Sequence, residues 1–510
     1  MTSHLNYAIK NVFWGYIGTF VTALLNFVSR TVFIYSISAD YLGINGLFAS
    51  VLGVLSLTEL GIGTAMGYSL YRPAAENDVE KIKSLMKLYR TAYRVIAVIV
   101  ALLGLLLLPF LHCIIKGGDG IEHIKIYYLI FLFNTVSSYF VSYKYSFVNA
   151  KQQSYIVNNL TTVFNLIMTS GQIAVLIIYK SYIAYLIIQM LVQLLMKIYS
   201  SIYIDKLYPF LNDKNVKPLE AEEKKKIQTN IKALIIHKIG EISVYQSDNI
   251  IISSFVNITA VGLLSNYVLI TGFFNTFIGV FFNSLTGTIG NYLAVSTPDD
   301  QYKLFQIIDF AGFILFSFSA VCIYALIQPF ILLLWGSEYV LPTVFLSVYL
   351  LNFFLTGQRM AIQQVKIAGG VFVQDKFLPL SQALVNLSVS IILVQFWGIT
   401  GVFIGTVIAG LLPSLVRPYI VFRHLFKRSA WKYYIEYAIR LCIISVTGAV
   451  CFMITQMIFK QTEWYYLIFS TFAVILITSV ILFLYACTKQ ETQYFKEIFF
   501  AVMKKKDRSV

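Results

Sequence analysis

The amino-acid sequence predicts an all-α, polytopic membrane protein of about fourteen transmembrane helices, in two pseudo-symmetric six-helix lobes followed by two further helices. Three observations carry that prediction. The chain is 58% hydrophobic and 12% charged, whereas soluble domains carry roughly 25% charged residues. Its apolar residues fall in repeated runs of about 20, the helical length that crosses a hydrocarbon core of ~30 Å. Its basic residues are segregated: 30 of the 39 Lys and Arg fall in one alternate set of connecting segments and 4 in the other, the asymmetry that sets membrane orientation.

In chain order, spans are expected near 11–35, 43–70, 92–115, 125–148, 156–179, 182–204, 234–256, 260–290, 304–328, 341–366, 377–397, 399–422, 438–459 and 464–487. The first follows MTSHLNYAIK; it is too long for a signal-peptide core and has no A-x-A site, so it is expected to stay as span 1. The run at 260–290 is long enough to tilt or break. The basic segments at 72–94, 206–232, 417–432 and 489–508 place both termini in the cytoplasm. The net charge of +15 is then read as topology and attraction to anionic lipid, with no nucleic-acid partner expected. Cys113, Cys322, Cys442, Cys451 and Cys487 sit in or at the ends of apolar runs without metal or redox spacing, and read as small core residues.

The segment DKLYPFLNDKNVKPLEAEEKKKIQTNIKA divides the spans into two groups of six. The expected organisation is an N-lobe at 1–204, a cytoplasmic linker at 205–233, a C-lobe at 234–428, and spans 13 and 14 with a basic tail at 429–510. SADYLGINGLF after span 1 and NITAVGLLSNY after span 7 share one pattern: a polar exit, an apolar residue and Gly, then re-entry. Gly43 and Gly262 are 219 residues apart, the offset expected of two homologous halves. SFVNAKQQSY and QQVKIAGGVF, closing spans 4 and 10, repeat the idea less closely.

The stretch LGINGLFASVLGVLSLTELGIGTAMGYSLYRPAAENDVEKI resembles the second span of Wzx-type polysaccharide flippases, of the multidrug/oligosaccharidyl-lipid/polysaccharide exporter superfamily. WGITGVFIGTVIA at 397–409 is similar to the glycine-rich entry to span 12 of the same proteins. With fourteen spans in a 6+6+2 order, the resemblance covers essentially the whole chain. It implies a MATE-like fold in the bacterial cytoplasmic membrane and alternating access about a central cavity. It also implies an undecaprenyl-diphosphate-linked oligosaccharide as substrate. Membrane lipids, a polymerase and other polysaccharide-assembly proteins are the remaining expected partners, and a monomer is the expected state.

The residues offer candidates for such work. Ionisable side chains at bilayer depth cost several kcal/mol and usually face a bundle interior or a wet cavity. In span 7, Lys238, Glu241, Tyr245 and Asp248 fall on one helical stripe, with His237 beside it. Thr19, Thr22, Asn26 and Arg30 form a matching stripe in span 1, and the Gly43–Gly262 offset makes Arg30 the equivalent of Asn249. The alternative for Arg30 is a guanidinium snorkelling to the headgroups. Arg359 and Gln363 share a face of span 10, where a guanidinium could hold a diphosphate by paired hydrogen bonds; a structural pair with a carboxylate is the alternative. Asn26, Arg30, Lys238, Arg359 and Gln363 are thus the candidate binding residues. Glu59, His237, Glu241 and Asp248 are candidates for coupling to H+ or Na+, or for ion pairs. Lys197 and Arg440, near the inner ends of spans 6 and 13, read as snorkelling cations. Tyr16, Tyr245 and Tyr267 could stack on sugar rings.

Other motifs fail in context. GIGTAMG at 61–67 lies inside an apolar helix with no preceding strand, and no Walker loop is present, so direct drive by ATP is unsupported. The chain is therefore expected to be a transporter and not an enzyme. A cation/drug antiporter of the same fold is the first rival, and is expected to keep an acidic cavity. A peptidoglycan-precursor flippase is another. A membrane polysaccharide polymerase or acyltransferase is disfavoured by the short outer loops and the lack of a His/Asp pair at one face.

Overall fold

The computed structural model describes residues 2–59, 62–118, 120–151, 153–213, 216–222, 224–225, 227, 246–371, 374–459 and 461–491. Among the described residues there is no strand; the chain is helical. The helices are α1 (Thr2–Ser36), α2 (Ala39–Leu55), α3 (Ile62–Glu76), α4 (Val79–Leu107), α5 (Ile124–Ala150), α6 (Ser154–Tyr179), α7 (Tyr182–Leu207), α8 (246–255), α9 (Ile258–Val295), α10 (Pro298–Trp335), α11 (Thr343–Gln358), α12 (Met360–Ala368), α13 (378–397), α14 (399–421), α15 (Trp431–Ile458) and α16 (Trp464–Cys487).

Nine stretches among the described residues are long and apolar enough to cross a membrane. Five of the fourteen expected spans account for the difference. Spans 2 and 10 are each divided into shorter helices, only part of α1 has described side chains, and most of span 7 lies outside the described residues. Spans 11 and 12 form one helical run from Leu378 to Val421, interrupted only at Gly398 (φ 53°, ψ −133°). That left-handed value suits glycine, and it places the hairpin where WGITG predicted a boundary. A Cβ on Gly401 would lie 2.1 Å from the carbonyl oxygen of Leu393, so the two arms of the hairpin meet backbone to backbone.

Two expectations about continuity need correction. Span 2 is not one helix: α2 ends at Leu55, Ser56–Glu59 form a 3-10 turn, and α3 starts at Ile62. Gly63, the second residue of α3, weakens helical propagation on the far side of the break. Span 10 is divided at Arg359, between α11 and α12. Conversely, the 260–290 run neither breaks nor stops early, since α9 continues from Ile258 to Val295.

The chain forms two compact units. Unit 1 comprises Met1–Asn266 with Pro379–Val402, and unit 2 comprises Tyr267–Leu378 with Phe403–Val510. In unit 1, α1 packs on α6, α4 on α5, and α7 on both α5 and α6. Tyr89, Tyr93, Tyr128, Phe48 and Phe147 fill its interior. Unit 2 is organised around α10, which packs against α11, α12, α15 and α16. Phe305, Phe313 and Phe316 of α10 are fully buried there. A Cβ on Gly357 would fall 2.1 Å from the Phe316 ring, so α11 approaches α10 through a glycine. Lipid is as apolar as a leucine side chain, so close approach through small residues and buried hydrogen bonds holds such helices together.

Candidate functional site

The 219-residue offset read from the sequence reappears as a set of contacts inside unit 1. Asp40 and Thr259, which differ by that offset, are hydrogen-bonded, with Thr259 Oγ1 donating to Asp40 Oδ1 at 2.5 Å. A Cβ on Gly43 would lie 2.1 Å from the carbonyl oxygen of Ile258, and a Cβ on Gly262 would lie 2.1 Å from that of Ala39. Arg30 Nη1 donates to Ser265 Oγ at 2.6 Å and to Asn266 Oδ1 at 3.5 Å. Its equivalent, Asn249, donates from Nδ2 to Gly46 O at 3.5 Å and to Ser50 Oγ at 3.0 Å. Ser265 and Gly46 are also offset mates, so each helix reaches across to the same place on the other. The α1–α2 turn and the α8–α9 turn therefore meet about a local pseudo-twofold axis, with a glycine in each turn setting the distance. Only glycine leaves room there.

Further contacts extend this seam. Ile258 N donates to Lys116 O at 3.0 Å, and Lys116 N to Ser253 O at 3.2 Å. Ser253 Oγ donates to Ile114 O at 2.8 Å. Within the same unit, Ser247 Oγ donates to Oδ1 of the fully buried Asn386 on α13 at 3.0 Å. Ser390, one turn along α13, donates to Val402 O at 3.0 Å. Asp248 lies half-buried between Ser247 and Asn249, both of which are hydrogen-bonded.

The candidate residues are distributed unevenly. Asn26, Arg30, Glu59 and Asp248 belong to unit 1, and Arg359 and Gln363 to unit 2. Lys238, His237, Glu241, Tyr245 and the side chain of Tyr16 lie outside the described residues. Arg30 does not snorkel, because its guanidinium turns to Ser265 and Asn266 on α9. Asn26 is exposed on α1. Glu59, in the break between α2 and α3, accepts a hydrogen bond from Tyr93 Oη at 2.9 Å. Beside it Tyr139 Oη donates to Ser56 Oγ at 3.1 Å, so both ends of the 3-10 turn are held by phenols. A Cβ on Gly63 would lie 3.2 Å from Tyr93 Oη, which keeps that phenol against the break.

In unit 2, Arg359 is buried. Its Nη1 donates to Gly410 O at 2.8 Å and its Nη2 to Thr356 Oγ1 at 2.9 Å. Gln363 follows one turn later, and Gln364 donates to Asn283 Oδ1 at 3.2 Å. Tyr267 is fully buried, its hydroxyl accepting from Leu341 N at 2.9 Å; that hydroxyl anchors the start of α11 and does not present a sugar platform.

The sequence reading missed two groups. Arg440 is buried and pairs with buried Asp309 on α10, correcting the snorkelling assignment. Gln358 Nε2 donates to the other carboxylate oxygen of Asp309 at 3.1 Å. Glu436 joins Arg440 at 3.5 Å and Lys489 at 2.7 Å, and accepts from Tyr485. These bonds fasten α15 and α16 to α10. The second group is Asp375, which is buried and accepts from Lys366 and, at 3.3 Å, from Arg417. The partners of Asp309 lie 49 and 131 residues away, so no local pattern could have signalled them.

No protein-family model and no curated protein sequence matches the chain. Several solved structures do. The lipid II flippase MurJ in an inward closed conformation has a TM-score of 0.63 at 17% identity, over 92% of this chain and 99% of that chain. A multidrug resistance MATE family transporter of the MOP superfamily, inward-facing, has a TM-score of 0.58 at 15% identity, over 78% and 92%. The Vibrio cholerae MATE transporter VcmN has a TM-score of 0.57 at 16% identity, over 84% and 100%. At these identities the likeness is one of fold. The chain has the polytopic helical architecture of MurJ and the MATE transporters.

Proposed function

We propose that the chain is a membrane flippase that moves undecaprenyl-diphosphate-linked oligosaccharide repeat units from the inner to the outer leaflet. The units would feed capsule, exopolysaccharide or O-antigen synthesis. The observation that carries the reading is the treatment of charge at membrane depth. Asp309 is buried on Arg440, whereas Arg30 is hydrogen-bonded to the neutral Ser265 and Asn266. Among the described residues no carboxylate lies within 4.0 Å of that guanidinium. A cation so placed suits an anionic ligand, and a diphosphate is matched by the fork of a guanidinium. The fold shared with a lipid II flippase over 92% of this chain supports the same class of cargo.

Transport proceeds by alternating access of an N-lobe (1–204) and a C-lobe (234–428). The chain sits in the bacterial cytoplasmic membrane, with both termini, the 205–233 linker and the basic tail inside. The prenyl chain stays in lipid while Arg30, Asn26, Lys238, Arg359 and Gln363 hold the diphosphate and sugars. Asp248, with Ser247 and Asn386 beside it, is the site for a coupling H+ or Na+, and Glu59 at the α2–α3 break is the second candidate. The glycine-lined contact between the α1–α2 and α8–α9 turns closes the outer end and separates when the path opens outward.

The test is a deletion strain, examined for lipid-linked repeat units trapped on the inner leaflet and for loss of surface polysaccharide. Complementation by the wild-type chain should restore export, and Arg30→Ala and Arg359→Ala should not. Full rescue by both variants removes the cationic mechanism. Normal polysaccharide after deletion, with any second flippase also deleted, removes the function.

A further inference from the structure

One cation of unit 1 is held inside the bundle without an acid. Lys197 lies in α7, ten residues before its end at Leu207 and fifteen after its start at Tyr182. At 1.5 Å per residue that is about 15 Å and 22 Å from the two ends of the helix. Its ammonium turns inward to α5, donating to Asn134 O and to Ser137 Oγ, both at 2.8 Å. Both acceptors are neutral, and among the described residues no carboxylate lies within 4.0 Å. Lys144 shows what the same fold does with a structural lysine: its ammonium is buried against Asp205 at 2.6 Å and Ser201.

Two hydrogen bonds leave one of the three ammonium donors of Lys197 over, and the residue is half-buried, not sealed. Gln193, one turn away on the same face of α7, has its amide nitrogen 3.9 Å from Met168 Sδ. A thioether is a weak acceptor, so this amide is available to a better one. A full positive charge inside an apolar bundle, without a counter-charge, costs several kcal/mol. A ligand that brings a negative charge repays it.

We propose that Lys197, with Gln193 beside it, is an anion-binding site inside unit 1 that holds a phosphate group. The inference deepens the flippase reading and rests on it for the source of the phosphate, a lipid-linked diphosphate and not a free one. Lys197 takes the charge, and Gln193 donates to a second phosphate oxygen. Its position inside the span makes it a station that the headgroup meets between entry and release.

The experiment uses the full chain purified in detergent, with farnesyl diphosphate, inorganic pyrophosphate and farnesol as probes. Wild type should bind farnesyl diphosphate saturably and in a salt-dependent way, more tightly than pyrophosphate, and farnesol should show no salt dependence. Lys197→Met should weaken farnesyl diphosphate binding by about tenfold or more, the value of a charged hydrogen bond. Lys197→Arg should stay within about threefold of wild type. Thermal melting of each variant distinguishes binding loss from misfolding, and Gln193→Ala supplies a milder second variant. Equal binding by wild type and a folded Lys197→Met overturns the proposal, as does absence of diphosphate binding by wild type. Tighter binding of pyrophosphate than of farnesyl diphosphate overturns the lipid source. Diphosphate binding lost in Arg359→Ala but kept in Lys197→Met would remove this site and leave the flippase reading standing.

Discussion

The α1–α2/α8–α9 contact in unit 1 and the Asp309 centre in unit 2 join helices by opposite means. The first is made of two glycines against carbonyl oxygens, with hydrogen bonds from Arg30, Asn249 and Thr259 around them and no ion pair among the described residues. The second is a buried carboxylate shared by Arg440 and Gln358, with Glu436, Lys489 and Tyr485 extending it to α16. Each such hydrogen bond contributes about 0.5–3 kcal/mol net, the upper part of the range where one partner is charged. Separating a buried ion pair exposes uncompensated charge to a low dielectric. Under the proposed alternating access, the glycine contact is the part expected to move and the Asp309 centre the part expected to stay.

The largest expected effect comes from breaking the fixed side of that contrast. Arg440→Met should cost about 3–5 kcal/mol by leaving Asp309 buried and unpaired, and should lower the melting temperature in detergent sharply. Pairing it with Asp309→Leu should recover most of the loss, because no charge is then stranded. Next is the movable side. Gly43→Val and Gly262→Val place atoms where a carbonyl oxygen already lies 2.1 Å from the first carbon. Each should prevent the turns from meeting while leaving unit 2 folded. Cross-linking between cysteines placed at Ala39 and Ile258 should be lost in both, and transport with it. A double variant no worse than either single would fit one shared contact.

Smaller effects sharpen the comparison. Thr259→Val removes only the bond to Asp40 and should cost about 1 kcal/mol, read as a modest melting shift with cross-linking retained. Tyr93→Phe removes the donor to Glu59 at the α2–α3 break and should cost a similar amount, about 0.5–1.5 kcal/mol. A Tyr93→Phe variant as damaged as Arg440→Met would show that Glu59 is held like Asp309.

How far the sequence revealed this arrangement depends on the range of the signal. The Gly43–Gly262 offset was legible because it is carried by short local patterns, and the contacts at Asp40, Arg30 and Asn249 follow it. The boundary at Gly398 was legible for the same reason. Arg440 was misread because depth along a helix says nothing about what faces it, and Asp309 lies 131 residues away. Lys197 was misread for the same reason as Arg440, since its acceptors lie on another helix, 60 and 63 residues away. The break after α2 was hidden by an unbroken apolar run, although Glu59 sits on it. Lys238, Glu241 and His237, on or beside the span 7 stripe, lie outside the described residues.

The proposed flippase carries a lipid-linked diphosphate sugar across the bilayer on cations held within the helical bundle. Its most direct test is reconstitution into liposomes loaded with an undecaprenyl-diphosphate-linked oligosaccharide on the inner leaflet, with a membrane-impermeant glycosidase added outside. The wild-type chain should make the oligosaccharide accessible to the enzyme, and a folded Arg30→Ala variant should not. Equal accessibility with wild type, with the variant and with empty liposomes would contradict the account.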